Sequence, residues 1–315
     1  MGEYGLRVSG RRRGTPDARR ILVLGASGQI GRGLVSGLLA QGDRVLALRR
    51  SPQAGVNAAN WLSADLAKDS LPLDGQSVDA VIHATSLWLL PRHLETLAAA
   101  GCRRLIAFSS TSVATKVTSR SDHERQQAAT LAGAEAAIAE QCTRLAITWT
   151  VLRPTLVYGR GQDLNISAAA RLITRFGVFP LAGKARGMRQ PVHADDVAAA
   201  AIQTLDSRAA ENRAYDLAGG ETLAYAEMIG RLFDALGKPR RRLSLPTPLL
   251  ALLAAAFGRL SRQPAYTSEI ARRMNIDLTV DDTAARRDLS WAPRKFLTCD
   301  DPPPHLVDGS DQRLA

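Results

Sequence analysis

The sequence predicts an α/β fold: a doubly wound parallel sheet followed by a small C-terminal α/β domain. Short apolar runs alternate with amphipathic helical stretches through the first half of the 315-residue chain, a pattern typical of parallel sheets with helices on both faces. A glycine-rich loop directly follows the first apolar run, at residues 25–31. After residue 159 the pattern changes to helices with very short apolar runs, which predicts the smaller domain.

The first predicted strand, residues 20–24, leads into the loop Gly25-Ala26-Ser27-Gly28-Gln29-Ile30-Gly31 and then into a helix. Gly25 permits a sharp turn, Gly28 lets the backbone approach a pyrophosphate, and Gly31 allows close packing of the helix. The N–H groups at the helix N-terminus are free to bind phosphate oxygens. Strand, loop and helix together predict a dinucleotide-binding Rossmann domain, although the first glycine gap is one residue wider than the usual fingerprint. A tight turn without a ligand is the alternative.

Arginines follow the second predicted strand, residues 44–48. Arg49 and Arg50 lie where an NAD-selective site carries an acid for the ribose hydroxyls, and Arg32 follows the last glycine of the loop. Guanidinium groups bind phosphate through paired, charge-assisted hydrogen bonds. These positions favour NADP over NAD. NAD stays open because most of the 41 basic residues are arginines, so an exposed arginine is common in this chain.

The remaining strands of the sheet are predicted at residues 80–84, 104–109 and 146–152. Ligands bind at the carboxyl ends of parallel strands. We therefore expect one crevice to be lined by the residues at the strand ends, namely Asp65, Ala84, Thr85, Ser109–Ser112 and Arg153–Gly159.

The second half of the chain predicts strands at residues 191–193 and 213–217 and a helix at residues 195–205. We expect a Rossmann domain over residues 20–159. Residues 160–300 are then mainly a substrate cap, with some segments returning to the Rossmann domain.

The charge of the chain gives no nucleic-acid signature. The formal net charge is +11, but aromatic residues make up only 5% of the chain and no basic stripe is interleaved with them. Residues 1–19 are rich in arginine and lack an apolar stretch, which predicts a disordered basic leader or a misassigned start rather than a secretory signal. The remaining positive charge is spread out and favours small anionic ligands over nucleic acid.

The three cysteines have neither metal nor redox spacing, which fits a reducing cytoplasm without a metal site (Cys102, Cys142 and Cys299). The longest aliphatic stretch, residues 249–257, is too short to cross a bilayer and predicts a packed helix. Peripheral membrane contact stays open because Arg259 and Arg262 follow that stretch. A homodimer also stays open, and residues 301–315 are expected to form a proline-rich tail.

Several motifs in register resemble the extended and atypical short-chain dehydrogenase/reductase superfamily, specifically its NAD-dependent epimerase/dehydratase group. They are spread over residues 20–296: the glycine loop, Asp65-Leu66, Val81–Ala84, Phe108–Ser112, Leu152–Gly159, Gln190–Val197, Ala218–Thr222 and Leu289–Pro293. The resemblance implies an NAD(P) cofactor, with Asp65 and Leu66 at the adenine. The full set of expected cofactor contacts is Gly25, Ser27, Gly28, Gln29, Ile30, Gly31, Arg32, Arg49, Arg50, Asp65, Leu66, Ala84, Thr85, Ser109 and Pro154.

The chain departs from the family at the residues that transfer the proton. The resemblance implies that Thr111 hydrogen-bonds the substrate oxygen and that a tyrosine and a lysine four residues later form a catalytic pair. No tyrosine of this chain has a lysine four residues after it. If Glu135 matches the acid that usually follows the lysine, Gln127 occupies the tyrosine position and Leu131 the lysine position. Neither a glutamine amide nor a leucine can transfer a proton.

Substitutes for the missing pair can be named from the sequence. Lys116 can donate a proton if it is desolvated, and Tyr158 can do so from the opposite side of the crevice; a solvated lysine and a half-buried tyrosine are the structural alternatives. Arg153 and Arg189 are candidates for binding an anionic substrate. His193 either contacts substrate or hydrogen-bonds within the turn before the following helix.

Two functions fit these observations. The first is an NADP-binding, epimerase/dehydratase-like oxidoreductase that transfers hydride to or from a polar, nucleotide-linked or otherwise anionic small molecule, because hydride transfer needs chiefly alignment. The second is a non-catalytic NAD(P)-binding scaffold, assembly factor or redox sensor, in which the bound dinucleotide stabilises the fold.

Overall fold

The computed structural model describes residues 18–51, 59–163, 165–260 and 268–298. Most of the predicted leader and the whole of the predicted tail lie outside these residues. Arg19, placed in the leader by the sequence analysis, is part of the folded domain because its guanidinium pairs with Asp43 and Asp206.

The strands, in chain order, are β1 Arg20–Leu24, β2 Arg44–Arg49, β3 Asn60–Ser63, β4 Ala80–His83, β5 Arg104–Phe108, β6 Thr148–Pro154, β7 Val157–Tyr158, β8 Phe179–Ala182, β9 Met188–Arg189, β10 Val192–His193, β11 Arg213–Leu217, β12 Leu223–Ala224 and β13 Arg242–Leu245. The helices are α1 Gln29–Ala40, α2 Leu94–Ala99, α3 Ser112–Thr115, α4 Asp122–Arg144, α5 Ile166–Phe176, α6 Ala194–Thr204, α7 Tyr225–Ala235, α8 Thr247–Leu260, α9 Ser268–Arg273 and α10 Thr283–Leu289.

A seven-stranded sheet in the order β11-β6-β5-β4-β1-β2-β3 forms the centre of the molecule. Every neighbouring pair in it is parallel, which confirms the predicted doubly wound fold. The chain moves outward in one direction from β1 and in the other from β4, so the strand order reverses between these two strands. Ligands of such sheets bind at that reversal, beyond the carboxyl ends of the strands.

Side-chain alternation along the sheet builds two apolar layers. On β1, Ile21 and Val23 belong to the layer under α1 and α6, whereas Leu22 and Leu24 belong to the layer under α4. All four side chains are fully buried. A strand buried on both faces reads as a continuous apolar run, which is why the sequence identified β1 with the correct ends.

Two elements after residue 159 lie on the Rossmann sheet rather than in the cap. β11 pairs with β6 as the seventh strand, and α6 packs along α1, where Gly33 and Gly37 leave room for Ala198 and Ile202. The sequence predicted β11 and α6 as elements. It did not predict β3, which has half-buried and exposed residues at the sheet edge, because four residues of mixed polarity carry no clear periodicity.

The cap is a separate apolar cluster built from α5, β8, α7, β13, α8 and α9. The sequence predicted a packed helix at residues 249–257. The structure corrects this for one face of α8, because Leu250 is buried while Leu249, Leu252 and Leu253 are exposed. Within the described residues, no helix is long and apolar enough to span a bilayer.

Candidate functional site

Two positions of the loop between β1 and α1 accept only glycine. Gly25 has φ of +84°, and a Cβ there would lie 2.7 Å from the carbonyl oxygen of Ala84. A Cβ on Gly31 would overlap the carbonyl oxygen of Gly25 and lie 2.8 Å from the backbone of Ala26. The first turn of α1 is therefore packed directly on the loop, as the sequence predicted from the glycine spacing.

The N-terminus of α1 presents N–H groups that no side chain of the described residues caps. Its N-cap is Gly28 in an extended conformation, and its first turn contains no acid. Gln29 turns its amide away and donates to the carbonyl oxygen of Gly159, 3.0 Å distant. Because the first four N–H groups of a helix lack intrahelical partners, this end of α1 is suited to an anion.

The residues around this loop fit a dinucleotide. The hydroxyl oxygen of Ser109, at the end of β5, is buried and has no hydrogen-bond partner among the described residues. A buried hydroxyl without a partner costs free energy unless a ligand or water bonds it. Ala84 and Thr85 follow β4 and lie against Gly25, and within the loop Ser27 is exposed while Gly25 and Gly28 are half-buried.

The three arginines predicted to select NADP have different surroundings. Arg49 is only 8% exposed, and its guanidinium carbon lies 4.5 Å from the ring centroid of Trp61. Arg50 is exposed. Arg32 is also exposed and donates from Nε to the carbonyl oxygen of Ser27. Arg32 and Arg50 are therefore better placed than Arg49 to meet a phosphate from solvent.

The residues predicted at the adenine form a compact turn after β3. One Asp65 carboxylate oxygen accepts from the backbone N–H of Ala67 at 3.0 Å. Leu66 is buried, and its carbonyl oxygen is 2.9 Å from Nε2 of His93. Both residues are thus fixed by local hydrogen bonds, a geometry that a ligand can use without reorganisation.

Lys116 contacts Gln127, the residue that the family resemblance aligns with the missing tyrosine. It caps the short helix α3, which begins directly after Thr111. Its Nζ lies 3.3 Å from the side-chain oxygen of Gln127 and 3.8 Å from a carboxylate oxygen of Glu124. Thr111 is 8% exposed, with its hydroxyl 3.5 Å from the carbonyl oxygen of Pro154. The structure therefore places the Lys116 amine against Gln127 and Glu124 of α4, one short helix after Thr111.

Burial lowers the pKa of Lys116 below its usual value, and the charge of Arg273 lowers it further. The carboxylate of Glu124 opposes both effects. These directions follow from the desolvated amine and the sign of each neighbouring charge. With 21% of its side chain exposed, Lys116 is half-buried, between the desolvated and the solvated lysine of the sequence analysis.

Glu124 is a neighbour of the Lys116 amine that the sequence analysis missed. Its carboxylate accepts from the Ser119 hydroxyl at 2.7 Å and pairs with Arg273 of α9 at 2.9 Å. The sequence signal around it, Ser121 followed three residues later by Glu124, is that of a helix N-cap, and the Glu124 N–H does bond to the Ser121 hydroxyl. No sequence pattern connects Glu124 with Arg273, which belongs to the cap.

Two predicted site residues have structural roles instead. Tyr158 is 2% exposed and packs edge-on against His193 and Phe296 in the cap core. It does not face solvent and is a poor candidate for a proton donor. His193 is the N-cap of α6, since its Nδ1 accepts from the N–H of Asp195 at 3.2 Å. Its ring also lies against Gly159, which leaves little of it to meet a substrate.

The two arginines predicted to bind an anionic substrate are also committed within the protein. Arg153 forms a two-pronged ion pair with Glu135 and lies 3.9 Å from Asp216. Arg189 is 6% exposed, and its guanidinium donates to the carbonyl oxygens of Met188, Ile276 and Arg273. Because these donors already have acceptors, the structure does not support either arginine as the substrate anchor.

Comparisons with known proteins agree with the fold and the loop. A family model described as the NAD dependent epimerase/dehydratase family matches residues 21–218. The 2-alkyl-3-oxoalkanoate reductase of Stenotrophomonas maltophilia is 27% identical over 315 residues, covering 87% of this chain and 95% of that enzyme. The (4-alkanoyl-5-oxo-2,5-dihydrofuran-3-yl)methyl phosphate reductase of Streptomyces griseus is 31% identical over 240 residues, covering 70% and 75%.

Other relatives match over a shorter part. The UDP-glucose 4-epimerase of Vibrio cholerae is 27% identical over 147 residues, which is 47% of this chain and 42% of that enzyme. The chain thus spans less than half the length of this relative. Among solved structures, the UDP-glucuronic acid 4-epimerase from Bacillus cereus in complex with NAD superposes with a TM-score of 0.68 at 16% identity, covering 88% of this chain and 93% of that one. At that identity the likeness concerns the fold.

Proposed function

The chain belongs to the NAD dependent epimerase/dehydratase family, and we propose that it is an NADP-dependent oxidoreductase in which Lys116 donates the proton that a tyrosine donates elsewhere in the family. One observation carries this proposal. The Lys116 amine lies 3.3 Å from Gln127, which the family resemblance aligns with the tyrosine, and its pKa is lowered by burial. A general acid works best when its pKa lies near the operating pH.

The cofactor part of the proposal rests on the glycine loop and on two exposed guanidinium groups. The N–H groups at the start of α1 would bind the pyrophosphate. Arg50 and Arg32 would bind the extra phosphate of NADP, with Arg49 held beside them against Trp61. The cofactor, when bound, supplies the hydride that is exchanged with the carbon of a substrate carbonyl or alcohol.

The protein's own side chains would align the substrate and protonate its oxygen. Thr111 would orient the reacting oxygen through its hydroxyl, at the end of β5. As hydride adds to the carbonyl carbon, the oxygen takes a proton from the Lys116 ammonium, which is later reprotonated from solvent. The Glu124 carboxylate lies 3.8 Å from the Lys116 Nζ and pairs with Arg273. These two charged side chains would hold the amine in place and set its pKa.

The substrate class we propose is a carbonyl compound with an anionic group. Two relatives that align with most of this chain are named as reductases of an oxoalkanoate and of an alkanoyl-bearing phosphate ester. The surplus of positive charge in the chain supports an anionic ligand. Nucleotide-linked sugars form the second arm of the substrate panel, since relatives in this fold include epimerases of such compounds.

The test is an NADPH oxidation assay with 3-oxoacids, phosphorylated ketones and nucleotide sugars. We expect turnover of at least one anionic ketone, lost by about 10²-fold or more in Lys116→Met. Lys184→Met, which removes an exposed lysine of the cap, is the matched control and should retain activity. Equal activity of Lys116→Met and the wild type would overturn the assignment of the proton donor.

The chain retains the glycine loop but lacks the tyrosine and lysine pair. This combination favours a second candidate, a non-catalytic NAD(P)-binding scaffold, assembly factor or redox sensor. Binding without turnover is sufficient to stabilise such a protein. Calorimetry that shows NADPH binding, together with no turnover across the whole panel, would support this candidate over the first.

A further inference from the structure

The cap contains a surface that is both apolar and basic. We define it as the basic lobe, residues 166–189 and 223–256, which includes α5, β8, β9, α7, β13 and most of α8. Of the eight large hydrophobic side chains exposed in the described residues, five belong to this lobe: Phe176, Leu243, Leu249, Leu252 and Leu253. Grouped exposure of this kind marks an interaction surface more often than single exposed side chains do.

The exposed apolar residues of α8 follow helical periodicity. Leu249, Leu252, Leu253 and Ala256 are all exposed, and their spacing of three, four and seven residues places them on one face of the helix. Leu250, on another face, is 7% exposed and packs in the cap core. The helix therefore already has its internal contact, and the leucine stripe is a second apolar face that the described cap does not cover.

Charge on the same lobe is strongly of one sign. The lobe contains two acidic residues, Glu227 and Asp234, against ten basic ones, namely Arg171, Arg175, Lys184, Arg186, Arg189, Arg231, Lys238, Arg240, Arg241 and Arg242. Both acids pair with Arg240. Arg171, Arg175, Lys184, Arg186 and Arg241 are exposed. Of these, Lys184 follows β8 and Arg241 directly precedes β13, the strand that pairs with β8 and leads into α8. Exposed basic residues therefore belong to the elements next to α8, which suits an anionic partner.

We propose that the basic lobe docks on the surface of an anionic lipid bilayer, with the leucine stripe of α8 inserted among the headgroups. An amphipathic helix with leucines on one face and basic residues nearby binds at such an interface by combining apolar burial with attraction to anionic lipids. Two copies of this lobe would repel each other, which disfavours self-association through the same face. Docking here is independent of the proposed reaction and orients the cap toward the membrane.

Vesicle flotation tests the proposal on the full chain without cofactor or substrate. We expect binding to vesicles of phosphatidylcholine with about a third phosphatidylglycerol, weak binding to phosphatidylcholine alone, and loss of binding as salt screens the charges. Leu252→Ser with Leu253→Ser, and separately Arg241→Glu with Arg242→Glu, should each reduce the bound fraction by about tenfold or more. Circular dichroism of each variant checks that it is folded.

Trp88→Ser is the matched control, because Trp88 is 54% exposed but lies outside the lobe. It should bind vesicles like the wild type. Failure of the wild type to float with anionic vesicles overturns the proposal, as does equal binding by the leucine variant. A wild-type dimer that the leucine variant abolishes, without any vesicle binding, would assign the stripe to a second copy instead.

Discussion

The glycine loop and the Lys116 region lie in the same Rossmann domain but depend on the sequence in different ways. The loop acts through backbone geometry: its N–H groups would bind phosphate, and Gly25 and Gly31 are required because a Cβ at either would meet another backbone segment. The Lys116 region would act through side chains, and there the family resemblance aligns Gln127 and Leu131 with the catalytic pair.

The difference teaches that phosphate binding by a loop backbone depends on glycine at fixed positions, whereas proton transfer can be carried out by a side chain from another element. A turn that needs glycine at one position has no substitute. A proton donor needs only a suitable pKa and a position within hydrogen-bond reach of the reacting oxygen. In this protein an amine from the end of α3 reaches Gln127 on α4, so the donor that we propose comes from a different element from the one the family uses.

Among the variants that test this comparison, the largest effect on cofactor binding and stability is expected from a substitution at Gly31. Gly31→Ala should abolish detectable NADPH binding and destabilise the fold by about 1–3 kcal/mol, since the new Cβ overlaps the loop backbone. Calorimetry and thermal unfolding measure the two effects. In Gly133→Ala, a Cβ meets nothing within 4 Å, so the helix should gain about 0.5–1 kcal/mol. Normal cofactor binding by Gly31→Ala would show that the backbone of this loop is not the binding element.

A smaller effect is expected on cofactor choice. Arg50→Ala should reduce the preference for NADPH over NADH by about tenfold, because one charge-assisted contact to the extra phosphate is lost. Arg44→Ala changes an exposed arginine at the opposite end of the same strand and should leave the preference unchanged. The ratio of the two dissociation constants is the measurement, and an unchanged ratio in Arg50→Ala would remove Arg50 from the site.

The pH profile would sharpen the account of Lys116. As a general acid it must be protonated, so the rate should fall as pH rises through its pKa, which burial and the charge of Arg273 lower and the charge of Glu124 raises. Glu124→Gln removes the charge that raises this pKa and should move the alkaline limb to lower pH. Arg273→Ala should move it to higher pH. Asp122→Asn changes an exposed carboxylate on the same turn and should not shift the limb. Shifts of the same sign in the first two variants would contradict the model.

The smallest effect concerns stability. Because the pKa of Lys116 is lower in the folded than in the unfolded state, protonated Lys116 disfavours folding at neutral pH, and this cost is relieved as pH rises from the folded pKa to the unfolded value. Lys116→Met should therefore stabilise the fold at neutral pH while it removes activity. Denaturant unfolding at pH 7 and at pH 10 checks this, and the gain should be smaller at the higher pH. A destabilised Lys116→Met would argue that the amine contributes to the fold.

The sequence predicted the buried parts of the sheet well and the site side chains less well. β1, β2, β4 and β5 are apolar runs buried on both faces, so composition alone identifies them. β3 was missed because an edge strand of mixed polarity lacks that signal. Arg153 and Arg189 were predicted as anion ligands from residue type, but only the fold places Glu135 beside the first and three carbonyl oxygens beside the second.

By itself, the sequence determined the doubly wound sheet, the glycine loop and the absence of the tyrosine and lysine pair, since each of these is a property of residues that are close in the chain. Only the tertiary structure decided that Lys116 meets Gln127, that Arg273 of the cap reaches Glu124, and that Tyr158 is enclosed in the cap core. Such contacts join residues far apart in the chain. They depend on how helices pack on the sheet and on which neighbours remove a side chain from water, and no local pattern encodes either.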